Sequence, residues 1–312
     1  MAGLAAGSGR AQRRHRVPAA TTRTLISTAQ LSRPGARITY GVVLTLVILV
    51  FTLVFIGPLY FLFADGLKST QEAIATPPTL YPHHVYPGSY VQAFDRLDVA
   101  RLVWTTLYYA FGALAFQLVF DVTAAYSLSK LRPALGNVIF FLMLATLMIP
   151  TTVLVVPQYV TVASLPILHV NLVGTPEAIW LPSVANAFSI FLLRRFFDSI
   201  PDDYVDAAQI DGASRFAILW RIVLPISRPI IGVVSIFGLV AVWKDFLWPL
   251  LVEYGYSPTR ETLNVGIWQA ATGTPENLII AASAMAAIPA IIFFLIFQRN
   301  IMAGLTAGGI RG

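Results

Sequence analysis

A catalytic reading of this chain would need acids, histidines or a nucleophile gathered at one place, and the sequence offers few such gatherings. The histidines, His15, His83, His84 and His169, do not fall at metal-ligand spacing, and the absence of cysteine excludes both a disulfide framework and a thiolate metal site. His83 and His84 with Asp95 and Asp98 form one acid and histidine group, and they read as polar loop residues. No G-x-x-x-x-G-K-[ST] occurs, so the chain has no phosphate-cradling loop of its own. The densest run of chemistry is DDYVDAAQIDGAS (202–214), with four aspartates and no base. Its residue types point to recognition: acids suit the start of a helix, and Ala207 and Ala208 let another surface approach the backbone.

That polar stretch is set in a chain of 312 residues that is 57% hydrophobic and only 12% charged, with mean hydropathy +0.73. Soluble domains carry about 25% charged residues, so the expected solvent is a bilayer. Six apolar runs of roughly the 20 residues that a span needs lie at 41–64, 104–128, 137–159, 178–197, 229–252 and 278–298. They are expected to be helices, because hydrocarbon offers no partner to free backbone groups and barrel strands would alternate in polarity. The fold class is thus all-α and polytopic, with six transmembrane helices and kinks at Pro150, Pro157, Pro182 and Pro289. Trp104, Trp180 and Trp268 are expected as interfacial anchors.

Charge placement orients these spans. Arginines 10, 13, 14, 16, 23, 33 and 37 crowd the start of the chain with no acid among them, and residues 1–37 read as a basic, disordered cytoplasmic tail that fixes orientation and meets anionic lipid. With that tail inside, Lys130, Arg132, Arg194, Arg195, Arg215, Arg221, Arg228, Arg299 and Arg311 are also inside, while Lys68, Arg96, Arg101 and Arg260 are outside. Both termini are therefore expected in the cytoplasm.

The segment 198–228 then forms a cytoplasmic elbow. Ser199 can cap a helix over 201–210, with Pro201 in its first turn and Asp202 three residues after the cap. Gly212 can take the left-handed conformation that ends a helix, and a second helix over 214–223 is expected to stop at Pro225. Tyr204, Val205, Ala207, Ala208 and Ile210 are too many apolar groups for a helix surrounded by water, so the elbow is built to dock.

Asp206-Ala207-Ala208, then Asp211-Gly212-Ala213, then Ile222-Val223-Leu224-Pro225 resembles the "EAA" loop of ATP-binding cassette importer permeases, with Asp206 where the family has Glu. The resemblance extends over most of the chain through AAYSLSKLRP (124–133), MIPTTVLVVPQY (148–159), FLLRRFFDSIP (191–201), WKDFLWPL (243–250) and QRNIMAGLTAGGIRG (298–312), and it is to the carbohydrate class, similar to the maltose-system six-span permease. It implies a non-enzymatic permease subunit in the bacterial plasma membrane, one half of a pathway for a sugar or related polyol. The implied partners are a cytosolic ATP-binding subunit dimer, a second permease subunit and an extracytoplasmic solute-binding protein. Asp206, Ala207, Ala208, Asp211, Gly212, Ala213, Leu224 and Pro225 would couple to the ATPase, and Gln298, Gly304, Thr306 and Gly308 in the tail would touch it.

Sugars bind through hydroxyl hydrogen bonds and aromatic faces, and Trp243, Lys244, Asp245 and Trp248 combine those types in the fifth span, with the two charges facing the bundle interior or water. Asp121 is the other acid within a span. A secondary carrier for a small polar solute is the alternative; it would show internal repeats and paired intramembrane charges, neither of which is evident. Nothing in the sequence calls for a cofactor or nucleic acid.

Overall fold

The computed structural model describes residues 34–256 and 259–307, with side chains up to Gln298. The basic tail through Arg33 and Gly308 lie outside the described residues. Among the described residues all regular structure is helical, as the apolar runs require. In chain order the helices are α1 (Pro34–Asp65), α2 (Thr70–Ala73), α3 (Gly88–Arg96), α4 (Val99–Tyr126), α5 (Gly136–Thr146), α6 (Thr151–Ala163), α7 (Glu177–Ser183) and α8 (Ala187–Asp198). After them come α9 (Asp202–Ile210), α10 (Arg215–Ile226), α11 (Arg228–Lys244), α12 (Leu247–Val252), α13 (Leu263–Ala270) and α14 (Glu276–Ala307). Short π-helical segments, Ser127–Leu131 and Leu219–Val223, extend α4 and lie within α10.

The chain forms two compact units. Met1–Leu59 contains most of α1, whose residues 38–56 are exposed and mostly apolar. Tyr60–Gly312 contains the rest. There α4 and α11 are the central helices: α4 packs on α7, α8 and α11, and α11 on α14. Buried apolar clusters form around them, one joining Val122, Tyr126, Leu193 and Phe197 to Val205 and Ile218.

By length and hydropathy α1, α4 with its π extension, and α14 are each able to cross a membrane. The other apolar runs are broken rather than merely kinked. α5 and α6 meet at 108° across 147–150, where Pro150 supplies no backbone donor. The 178–197 run is interrupted between α7 and α8, and the 229–252 run at Asp245 and Phe246. Side chains close these ends, as apolar surroundings demand. Asn186 Oδ1 accepts from Ser189 N–H at 3.0 Å to cap α8, and its own N–H donates to Asp121 Oδ1 on α4 at 3.0 Å. At the other break Asn264 Nδ2 donates to the carbonyls of Trp243 and Asp245, at 3.0 and 3.3 Å.

The α9–α10 corner departs from expectation at both ends. Ser199 does not cap α9; its hydroxyl donates to Phe196 O, Pro201 occupies the cap position, and Asp202 is bound elsewhere. Lys130, its side chain only 2% exposed, donates to Asp202 Oδ1 and to Ile200 O, each at 2.7 Å, while Arg132 Nη2 reaches Asp202 Oδ2 at 3.0 Å. A strong ion pair thus replaces a local cap. The second helix does not stop at Pro225 but runs to Ile226, before an 82° bend into α11. Pro225 is tolerated because it falls in the first turn of the α segment after the π turns, where a donor is not needed.

A buried pair also anchors the segment after α1. Lys68, 1% exposed, pairs with Asp65, donates to Thr79 O at 2.6 Å and lies 5.0 Å from the Phe61 ring centroid. Asn277 on α14 holds the same segment by donating to Lys68 O and Ser89 Oγ.

Lys68→Met should destabilise the protein by about 3–5 kcal/mol, because it strands a nearly buried carboxylate; thermal unfolding in detergent measures this. Asp202 is held below the usual carboxylate range, first by the Lys130 hydrogen bond and charge and then by Arg132. Its folded-state value is depressed, so its contribution is present above the unfolded value of about 3.9 and is lost as pH falls through the folded one. The protection factors of the α9 and α10 amides, which divide out the intrinsic pH dependence of exchange, should therefore be flat from neutral pH to about 5 and fall in stronger acid, whereas Asp202→Asn should show the lower protection at every pH.

Candidate functional site

The corner carrying the 206–213 motif is built from local rules. Asp202 and Asp203 occupy the first turn of α9, where acids meet the positive end of the helix. At its other end Gly212 has φ +80°, Ala213 N–H donates to Ala208 O at 2.9 Å, and Gly212 N–H donates to Gln209 O at 3.0 Å. This is a Schellman closure, which needs a left-handed residue at that place. Ser214 then caps α10 by accepting from Ala217 N–H at 3.2 Å.

Helical periodicity divides α9 into two faces. Val205 is buried, and Ala208 is packed beside it against the cluster that includes Ile218 and Leu219. Ala213 closes the same side. Asp203, Asp206, Ala207 and Ile210 fall at i, i+3, i+4 and i+7 and are exposed, Ile210 to 86%. Asp211 and Tyr204 are exposed beside them. So Val205 and Ala208, expected among the docking groups, face inward instead. The remaining face offers carboxylates, a small residue that allows close approach and one large aliphatic side chain. Leu224 is half-buried against the same cluster, and Pro225 is exposed.

The corner is tied to its neighbours by the Lys130 and Arg132 clamp, by Tyr126 hydroxyl donating to Arg215 O at 3.0 Å, and by Ser129 hydroxyl donating to Asp198 Oδ1 at 2.6 Å. Sequence reasoning used Lys130 and Arg132 only to orient the spans and assigned no role to Tyr126 or Ser129, although all four lie in the AAYSLSKLRP stretch. The signal that could have found them is a lone basic pair at the end of an apolar run facing an acidic helix start.

The tryptophans of the fifth run are less available than expected. Trp243 is buried, with its indole N–H donating to Ala286 O at 3.2 Å and its ring 5.8 Å from Phe293. Trp248 is buried with its N–H donating to Ala178 O at 2.9 Å. Asp245 Oδ1 accepts from Trp248 N–H at 3.4 Å, so it helps to start α12. Of the four, Lys244 alone is exposed. Trp104 and Trp268 are exposed, whereas Trp180 is half-buried over Gly112, where any Cβ would collide with the indole. Gln298, Gly304 and Thr306 lie on the C-terminal turns of α14; the Gln298 side chain donates to Leu295 O. His83 and Glu72 join in a surface network, Nδ1 to Oε1 at 2.8 Å, and no group of acids and histidines fit to hold a metal occurs among the described residues.

Comparison with known proteins adds identity to this geometry. Residues 101–305 match the family of binding-protein-dependent transport system inner membrane components. A sulfoquinovosyl glycerol transport system permease protein of Agrobacterium fabrum is 30% identical over 259 residues, 82% of this chain and 88% of that protein. An arabinooligosaccharide transport system permease protein of Bacillus subtilis is 27% identical over 278 residues, covering 88% and 96%. The crystal structure of a bacterial ABC transporter that imports the polysaccharide alginate contains a chain of the same fold, with TM-score 0.72 and 22% identity over 86% of this chain and 98% of that one. A helical membrane protein with an exposed acidic corner, matched over two thirds of its length, is thereby placed: the chain belongs to the binding-protein-dependent transport system inner membrane component family.

Proposed function

We propose that the α9–α10 corner is a cytoplasmic coupling elbow through which a separate ATPase dimer drives a transmembrane pathway for a sugar or related polyol. The chain is a permease subunit of an ATP-driven importer, with hydrolysis carried out by a partner protein. Six apolar runs serve as spans, α1, α4, α5 with α6, α7 with α8, α11 with α12, and α14, the broken ones counting once each. Both termini lie in the cytoplasm, the basic residues 1–37 leading into the first span. The clamp supports this sidedness, since it gathers the basic ends of α4 and α8 at the same place as α9.

The observation that carries the coupling reading is the exposed face of Asp203, Asp206, Ala207 and Ile210 on a helix whose other face is bonded into the bundle. A partner groove can grip the first face, and Val205, Lys130 and Tyr126 pass its movement to the spans. Asp211, Gly212 and Ala213 shape the turn, while Leu224 and Pro225 lead into the bend before α11. Gln298, Gly304, Thr306 and Gly308 contribute a second ATPase contact. A second permease subunit completes the pathway, and a solute-binding protein delivers to its outer mouth. The names of the two relatives, both for glycosylated solutes, support the sugar class. Lys244 and Asp245 border the pathway, with Trp243 and Trp248 as supports behind them.

Gly212 provides the test. Its surroundings leave a Cβ free of contact, so only backbone conformation penalises a substitution. Gly212→Ala should cost about 1–2 kcal/mol locally and retain ATPase binding. Gly212→Val, β-branched at φ +80°, should insert normally but lose co-purification of the ATPase and binding-protein-stimulated ATP hydrolysis. Full stimulation in the valine variant would remove the corner from the coupling path. Ile210→Asp should weaken ATPase association without changing the melting temperature, as an exposed side chain carries no core packing.

A further inference from the structure

We propose that the corner between α4, α5 and α8 binds the phosphate of an anionic phospholipid, in the leaflet on the α9 side of the protein. The cavity there, of about 430 Å³, is bounded by Ser129 and Arg132 at the π-helical end of α4, by Asn137 on α5, and by Arg194 and Asp198 on α8. The inference asks only that the chain cross a membrane, and it is separate from the coupling role of α9.

Charge is the first argument. Two guanidinium groups from different helices line the cavity against one carboxylate. That carboxylate is committed elsewhere: Asp198 Oδ1 accepts from the Ser129 hydroxyl at 2.6 Å, and Oδ2 lies 3.8 Å from Arg194 Nε, beyond hydrogen-bond reach. Asp202, which pairs with Arg132, is shared with Lys130. Arg194 is held in place, with Cζ 4.0 Å from the Phe140 ring centroid and Nη2 donating to Asn137 Oδ1 at 3.0 Å. Its Nη1 is shielded from solvent yet has no hydrogen-bond partner among the described residues. Folded proteins seldom leave a buried donor in that state, so the group marks a place for an acceptor. Arg132 uses Nε and Nη2, on Ser129 O and Asp202, and leaves Nη1 unbonded among the described residues. Two planar forks suit a phosphate, which accepts on several oxygens at once. No side chain caps α5 and no acid stands in its first turn, so the positive end of that helix adds to the same field.

Position selects a lipid over a free ion. α4 with its extension is long and apolar enough to cross a membrane, and α5 with α6 is so as a bent pair. The turn at 132–135 therefore joins two spans at the level where headgroups sit. Below the basic groups, Val138, Phe141 and Leu142 fall at i, i+3 and i+4 on α5 and are all exposed. Phe141 stands one helical turn beyond Asn137, so the apolar stripe begins where the cavity ends. An acyl chain laid along that stripe leaves its phosphate between the two arginines, whereas inorganic phosphate would cover no apolar surface. Because Arg132 also holds Asp202, a lipid bound here ties the start of α9 to the membrane surface.

Asn137→Asp is the decisive variant. It sets an acid in the first turn of α5 and beside Arg194, which favours the helix but repels a phosphate. Arg194→Gln, the second variant, removes one fork. The full-length chain, with the subunits that co-purify through a tag on it, is placed in phosphatidylcholine nanodiscs. These carry a trace of photoreactive phosphatidylglycerol or of photoreactive phosphatidylcholine, and peptide mass spectrometry locates the adducts on this chain. Phosphatidylglycerol adducts should concentrate in residues 131–142 and fall roughly tenfold in each variant, with adducts elsewhere on the chain unchanged. Thermal unfolding of Asn137→Asp should be no lower than that of the parent. Phosphatidylcholine, whose phosphate is balanced by its own ammonium, should label 131–142 as weakly as the variants are labelled. Undiminished adducts in Asn137→Asp and Arg194→Gln would overturn the site. Equal labelling by phosphatidylcholine would overturn the need for net charge, and loss of labelling to millimolar inorganic phosphate would overturn a lipid as the occupant.

Discussion

Every interruption of a helix in this protein must find a hydrogen-bonding partner inside the protein, because the surrounding hydrocarbon supplies none. That constraint governs the architecture. Three apolar runs are broken, and at two of the breaks the freed groups are met by side chains from another element: Asp121 receives the Asn186 N–H, and Asn264 reaches the carbonyls of Trp243 and Asp245. Polar residues that look out of place in a greasy sequence are the ones that allow its helices to stop and restart. The same need explains why Trp243 and Trp248, whose rings suggested a sugar platform, direct their N–H groups to backbone carbonyls.

This also explains what could be read from the sequence. Hydropathy located the apolar runs because burial in lipid acts on every residue of a run. It could not show that 137–159 bends by 108°, since a bend changes no side chain's polarity. The Gly212 turn was legible because all its hydrogen bonds lie within six residues. The Ser199 cap was misread for the opposite reason: Asp202 is taken by Lys130, 72 residues earlier, and a local rule cannot see so distant a competitor. Likewise the inward turn of Val205 and Ala208 depends on Ile218 and Leu219, which only folding brings near.

Family membership removes the secondary-carrier alternative, and the coupling role proposed for the corner sets its own demands. Mechanical coupling asks for a part that is rigid toward the bundle and open toward a partner. α9 meets both demands through one helical period: the buried face is packed and bonded, and the exposed face carries no internal bond from Asp203 or Asp206. The short arm of Asp206 keeps its charge close to the helix surface.

The clamp at Lys130 and the break at Asn186 are opposite ends of the same rods. α4 and α8 both run from the clamped end to that break, where Asp121 on α4 receives the Asn186 N–H. If these helices pivot as stiff bodies through about 15°, the scale of known subunit rotations, an arm of roughly 18 Å sweeps its far end by about 5 Å. A hydrogen bond spans only about 3 Å. A pivot that small at the clamped end is thus leverage enough to part a hydrogen bond at mid-depth in a single stroke.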